Sequence, residues 1–119
     1  MLLGFQKKFK DKIVSGEKRQ TIRAKRKYPI KVNDKLQFYT GLRTKYCEKI
    51  MDDMICREIH EIEITKNKIV RINDYLIDCD QKEIIAKADG FNNFDEMYNW
   101  FCKNHNLENK NFHGNIICW

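Results

Sequence analysis

Arg19, Thr21, Arg23 and Lys25 alternate with Gln20, Ile22 and Ala24, a period of two that puts a hydroxyl and three cations on one face of a strand. A guanidinium presents a fixed fork of donors suited to a phosphate or a carbonyl oxygen. Arg23 fits that task best, because a strand with apolar neighbours tends to turn one face inward, and an inward arginine needs a partner. More cations follow in Lys25-Arg26-Lys27 and in Arg43 and Lys45, with Tyr28, Tyr39 and Tyr46 close by in sequence. Cations that track phosphates, combined with aromatic faces that stack on bases, are what single-stranded RNA recognition uses. Structural explanations stand beside these: Lys18 and Arg19 as solvated residues between two elements, Thr21 as a good strand former, and the tyrosines as packing.

Other chemistry has little support. The five cysteines (Cys47, Cys56, Cys79, Cys102, Cys118) form no CxxC or zinc-type spacing and are expected to be reduced, mostly buried thiols. His60, His105 and His113 are scattered, and the expectation is structural or exposed histidines, no metal site and no cofactor. The formal charge of +6 is unevenly spread: the first fifty residues carry fifteen Lys or Arg against four Asp or Glu, leaving the remainder net acidic. Such a concentrated basic region attracts nucleic-acid phosphates through counterion release. No apolar stretch is long enough for a membrane span, and Met1–Phe5 runs directly into lysines, so a cytoplasmic protein without membrane contact or an obligate protein partner is expected.

At 119 residues the chain is long enough for one self-sufficient core and has no room for a second domain. Residues 2–5 suit an opening strand. Phe5, Phe9 and Ile13 recur every fourth residue and predict a short helix closed by Ser15-Gly16. The cationic strand from Arg19 follows, then a turn at Val32-Asn33-Asp34-Lys35 and a strand over residues 36–40. Residues 46–65 carry both helical and alternating patterns; two strands turning at Met51-Asp52-Asp53 are preferred, and residues 68–72 form another short strand. Phe94, Met97, Tyr98, Phe101 and Cys102 define a helix that Asn93 is placed to cap. The apolar end, residues 115–119, reads as a strand inserted in the sheet. Strands and helices without regular alternation indicate an α+β fold.

Four local patterns carry a resemblance to a known family. Gly16-Glu17-Lys18-Arg19-Gln20-Thr21-Ile22-Arg23 resembles the G-x-K-x-x-T-I-R signature of ASCH domains, relatives of the PUA-like RNA-binding barrels. Val32-Asn33-Asp34-Lys35-Leu36 is similar to the family's glycine-aspartate turn, with Asn33 in place of glycine. Thr40-Gly41-Leu42-Arg43-Thr44-Lys45 resembles the threonine-glycine corner and basic tail of one subgroup, and Ala88-Asp89-Gly90-Phe91 the entry to the family's later helix. The resemblance runs in order along nearly the whole of residues 1–119. It implies a small, mostly antiparallel β-barrel with two to three flanking helices, and a cleft lined by the Lys, Thr and Arg of the first signature.

A small bacterial ASCH enzyme is an amidohydrolase that deacetylates acetylcytidine, with a Lys, a Thr and an acid as its proposed catalytic set. The resemblance places these at Lys18, Thr21 and Asp89, Asp89 being one methylene shorter than the family's Glu. Amide hydrolysis requires a nucleophile, a proton acceptor and oxyanion stabilisation. A lysine becomes a base when burial or a neighbouring cation such as Arg19 or Arg23 lowers its pKa. Two readings follow. One is a module that binds RNA or a modified nucleoside or nucleotide through Arg19, Arg23, Lys25, Thr40, Arg43 and Lys45. The other is a hydrolase, an acetylcytidine amidohydrolase or a ribonuclease, that uses the trio. The extra basic residues favour the first, since a free nucleoside has no phosphate for them to hold.

Overall fold

The computed structural model describes residues 1–119. In chain order the elements are β1 (Leu2–Phe5), a 3₁₀ turn (Lys7–Phe9), α1 (Lys10–Val14), β2 (Gln20–Ala24), β3 (Lys35–Thr40), β4 (Glu48–Ile55), β5 (Glu58–Ile64), β6 (Val70–Ile72), β7 (Tyr75–Leu76), α2 (Cys79–Ala88), α3 (Phe94–His105) and β8 (Phe112–Cys118). This is an α+β fold with three helices and mostly antiparallel pairing. Hydrogen bonds divide the strands into two sheets, β1-β3-β4 and β2-β8-β5-β6-β7, and no closed barrel is formed. Only β1 and β3 pair in parallel. No helix is long and apolar enough to cross a membrane.

Inward alternation explains the strands. Leu36, Phe38 and Thr40 of β3 are buried with half-buried residues between them, as are Ile62 and Ile64 of β5. The buried apolar side chains form one cluster, and the two sheets meet where Phe38 of β3 packs edge-on against Trp119 at 4.8 Å and Phe5 of β1 lies 6.0 Å from both. Gly114 lets β8 sit close to β2: a Cβ there would lie 2.2 Å from the Arg23 carbonyl. On the other side α3 buries Phe94, Met97 and Phe101, with Phe101 against Phe112 of β8 at 4.8 Å.

Most expected elements appear, with three differences. Residues 46–65 do form two strands, but β4 runs straight through Met51-Asp52-Asp53 and the chain turns at Cys56-Arg57. The polar pair marks an exposed sheet edge, where charge discourages further pairing. The true corner is tied to the Asn33 turn by Cys56 N–H to the Asp34 carbonyl and Asn33 N–H to the Cys56 carbonyl, both 2.8 Å. Asn33 has φ +79°, which accounts for a residue tolerant of that region there. Second, α2 was not anticipated: it buries only Ala86, so it has no apolar stripe, although Asp78 and Gln81 form a full capping box. Third, among the cysteines only Cys56 is buried, while Cys47 and Cys79 are exposed. Asn93 accepts from Glu96 N–H at 2.8 Å, as its position predicted.

Candidate functional site

Lys18 lies in the corner between α1 and β2, which its N–H closes by bonding the Lys12 carbonyl at 2.9 Å. It is 2% exposed and the largest side chain buried to that degree. Asp89 caps the C-terminal end of α2. Lys18 Nζ donates to the Asp89 backbone carbonyl at 2.5 Å and lies 3.3 Å from Asp89 Oδ1. Gly90 makes this approach possible, since its φ is +96° and a Cβ would meet Phe9 Cδ1 at 2.9 Å and Lys18 Cδ at 3.1 Å. Two residues 71 positions apart thus become a buried ion pair.

Burial dominates the electrostatics. It pushes the Asp89 carboxyl up from 3.8 to about 6, against the pull of Lys18, Arg23 and Gln20. Burial likewise lowers Lys18 from 10.5, helped by Arg23 and Lys12 and opposed by Asp89. Each partner holds the other charged in a place where either alone would become neutral. Asp89 Oδ1 accepts no hydrogen bond, so it retains acceptor capacity.

Thr21 and Arg23 project to the same place from β2. Arg23 Nη2 donates to the Gly4 carbonyl at 2.6 Å, and Nε donates to Thr21 Oγ1 at 3.0 Å. The guanidinium lies 4.8 Å above the Phe5 ring, and its pKa falls to about 10, chiefly through burial. The inward arginine therefore has the partner it required. Lys18, Thr21, Arg23 and Asp89 line one cavity of about 190 Å³ with Phe5, Phe9, Phe91 and Trp100. No hydrogen bond joins Lys18 to Thr21: the ammonium is committed to Asp89, and the Thr21 oxygen accepts from Arg23.

The other expected binding residues lie elsewhere. Arg19 is exposed and lines a separate depression with Arg57 and Glu58; the cations that act on Lys18 are Arg23 and Lys12. Lys25 reaches Glu61 at 3.9 Å. Thr40 is buried beside Gly41, at the edge of a depression that also holds Lys45 and Tyr46. Arg43 is exposed in the same loop, with φ +65°.

Several cavity residues were not foreseen. Phe5 and Phe9 read in sequence as the apolar side of a short helix, Phe91 as part of the entry to the later helix, and Trp100 falls outside the apolar stripe of α3; nothing local distinguishes a residue that walls a cavity from one that fills a core. Trp100 Nε1 is buried without an acceptor. His105 also lines the cavity, its pKa lowered mainly by burial. Glu58, His60 and Cys118 come within 4.8 Å of one another, a grouping invisible in sequence because β5 and β8 bring it together. Asn73 Oδ1 accepts from Glu61 N–H, which turns its Nδ2 toward His60 Nδ1 at 3.0 Å. That contact leaves the ring proton on Nε2, facing Glu58 at 3.3 Å, so both nitrogens of the His60 ring have a partner within the protein.

Comparison with known protein families finds no match to this chain, and neither a curated protein nor a solved structure matches it.

Proposed function

We propose that this chain binds a single nucleobase, in RNA or as a modified nucleoside or nucleotide, in the cavity of Lys18, Thr21, Arg23 and Asp89. The observation that carries the reading is the joining of a buried ion pair and an arginine with four aromatic side chains around one small space. A cavity of about 150 Å³ holds a benzene ring, whereas sites for drug-sized ligands run from roughly 300 Å³ upward. Its size thus suits one flat heterocycle. Aromatic walls supply stacking, and Arg23, Asp89 and the Thr21 hydroxyl supply donors and an acceptor for ring edges. Kinship with ASCH domains and their PUA-like relatives belongs to this reading, supported by the convergence of the signature residues Lys18, Thr21 and Arg23 on one site.

A second reading has its own support. Asp89 comes from a segment remote from Lys18 and Thr21 to line one cavity with them, and Lys18 is shifted toward the neutral amine a general base requires. The trio would then deacetylate acetylcytidine or cut RNA. Binding is preferred because Thr21 has no hydrogen bond to a base that would activate it.

The test is to incubate the protein with acetylated cytidine and, separately, with labelled RNA, following both by chromatography and by fluorescence titration. Lys18→Ala and Thr21→Val serve as controls; the valine keeps the shape of the side chain where a lysine truncation strands Asp89. The expected result is binding with intact substrates. Turnover that disappears in both variants would instead establish the hydrolase, and absence of both binding and turnover would remove the reading altogether.

A further inference from the structure

A second cluster of ligating side chains lies at one end of the five-stranded sheet. Ile62 and Ile64 of β5 are buried, and the strand's period of two carries the same face outward through His60 to Glu58. On β8, Ile116 pairs with His60 and Cys118 with Glu58, and residues paired across strands project to one side. A face that is apolar for most of its length therefore ends in a carboxylate, an imidazole and a thiol. One ligand atom from each comes within 4.8 Å of the others. His60 Nε2 and Glu58 Oε2 are 3.3 Å apart, which is the separation that two ligands of a tetrahedral zinc ion adopt when each bond is about 2.0 Å.

The surroundings admit an ion. Glu58 and Cys118 border a depression that also holds Arg19 and Arg57, and a thiolate with a carboxylate cancels the double charge of a divalent metal beside those cations. Burial pushes the Cys118 thiol up to about 11, so the metal-free chain keeps the S–H bond. On binding that bond breaks, the sulfur bonds the metal and the proton leaves to solvent. At His60 the metal takes the place of the proton on Nε2, and a proton is taken up at Nδ1, which keeps the ring neutral. Asn73 Nδ2 now faces Nδ1 at 3.0 Å; turning the amide presents Oδ1 to the new N–H, as the partners of metal-bound histidines do. The Glu61 N–H that Oδ1 releases lies at the exposed surface, where water replaces the bond.

We propose that Glu58, His60 and Cys118 form a zinc site with its fourth position open to solvent. One sulfur, one nitrogen and one oxygen suit a borderline-soft ion, whereas magnesium and calcium take oxygen ligands. Three protein ligands and an open position are the arrangement of zinc sites that bind a further group; structural sites are closed by four. The cluster shares no residue with the lining of the Lys18 and Asp89 cavity, so it stands independently of the base-binding reading.

Titration of Co²⁺, a spectroscopic stand-in for zinc, into the chelator-treated full chain tests this, with Zn²⁺ added afterwards to displace it. One ion per chain is expected, with a thiolate-to-cobalt charge-transfer band that zinc abolishes. Cys118→Ser should remove the band, and His60→Gln and Glu58→Gln should each weaken binding by about tenfold or more. Cys79→Ser, at an exposed cysteine outside the cluster, should change nothing. Asn73→Asp offers acceptors to both Glu61 N–H and His60 Nδ1–H and should tighten binding about tenfold. Circular dichroism checks each fold; the His60 and Glu58 side chains are 37% and 66% exposed, so their variants keep the test decisive even if Cys118→Ser does not fold. A wild type without the band, a band that survives Cys118→Ser, or unchanged affinity in both His60→Gln and Glu58→Gln would overturn the proposal.

Discussion

Asp89 is a residue whose chemistry is strongly altered by its burial. Its carboxyl titrates at about 6 in the folded chain against 3.8 ordinarily, so between those values the folded state binds more protons than the unfolded one. Stability contributed by this group is therefore fully present below about pH 3.8 and is lost as pH rises through about 6. Denaturant unfolding at a series of pH values should show that decline, and Asp89→Asn should flatten it. Arg23 presents a different case. From the sequence, Arg23→Ala is expected to weaken ligand binding and leave the fold intact. In the structure Arg23 also ties β2 to the Gly4 carbonyl and to Thr21, and hydrogen bonds to charged groups contribute about 1.5–3 kcal/mol. Arg23→Ala should accordingly lower unfolding free energy by about 2 kcal/mol as well as weaken RNA binding. Calorimetry separates the two effects.

At the scale of elements, the site depends on the turn that leads out of α2. Gly90 takes a left-handed conformation beside Phe9 and Lys18, and Gly90→Ala would introduce both backbone strain and a clash. A loss of about 1–3 kcal/mol is expected, with ligand affinity falling because Lys18 is displaced from Asp89; a thermal melt and a titration together read this out. The cap at Asn93 is a plainer contribution: Asn93→Ala should cost about 1 kcal/mol without touching the cavity. Helices showed themselves in sequence to the extent that they bury a stripe. The apolar spacing of α3 and its cap were legible, whereas α2 lies on the surface with little more than its capping box to announce it.

For the whole molecule, the basic first fifty residues predict a strong salt dependence. The logarithm of RNA affinity should fall linearly with the logarithm of salt concentration, and each phosphate-contacting lysine removed should reduce the slope by about one. Nucleoside affinity should change little. The cations nevertheless do not form one continuous rim: Arg19, Lys25 and Lys45 line three different depressions. The sequence by itself determined what depends on neighbours a few positions apart: the strand period that turned Thr21 and Arg23 to one side, the cap and stripe of α3, and the Asn33 turn. Only the tertiary structure decided that Asp89 meets Lys18, that Arg19 faces away from both, and that aromatic residues from β1, the 3₁₀ turn and α3 wall a cavity. Those outcomes depend on burial and on contacts between distant segments, and no local spacing encodes them.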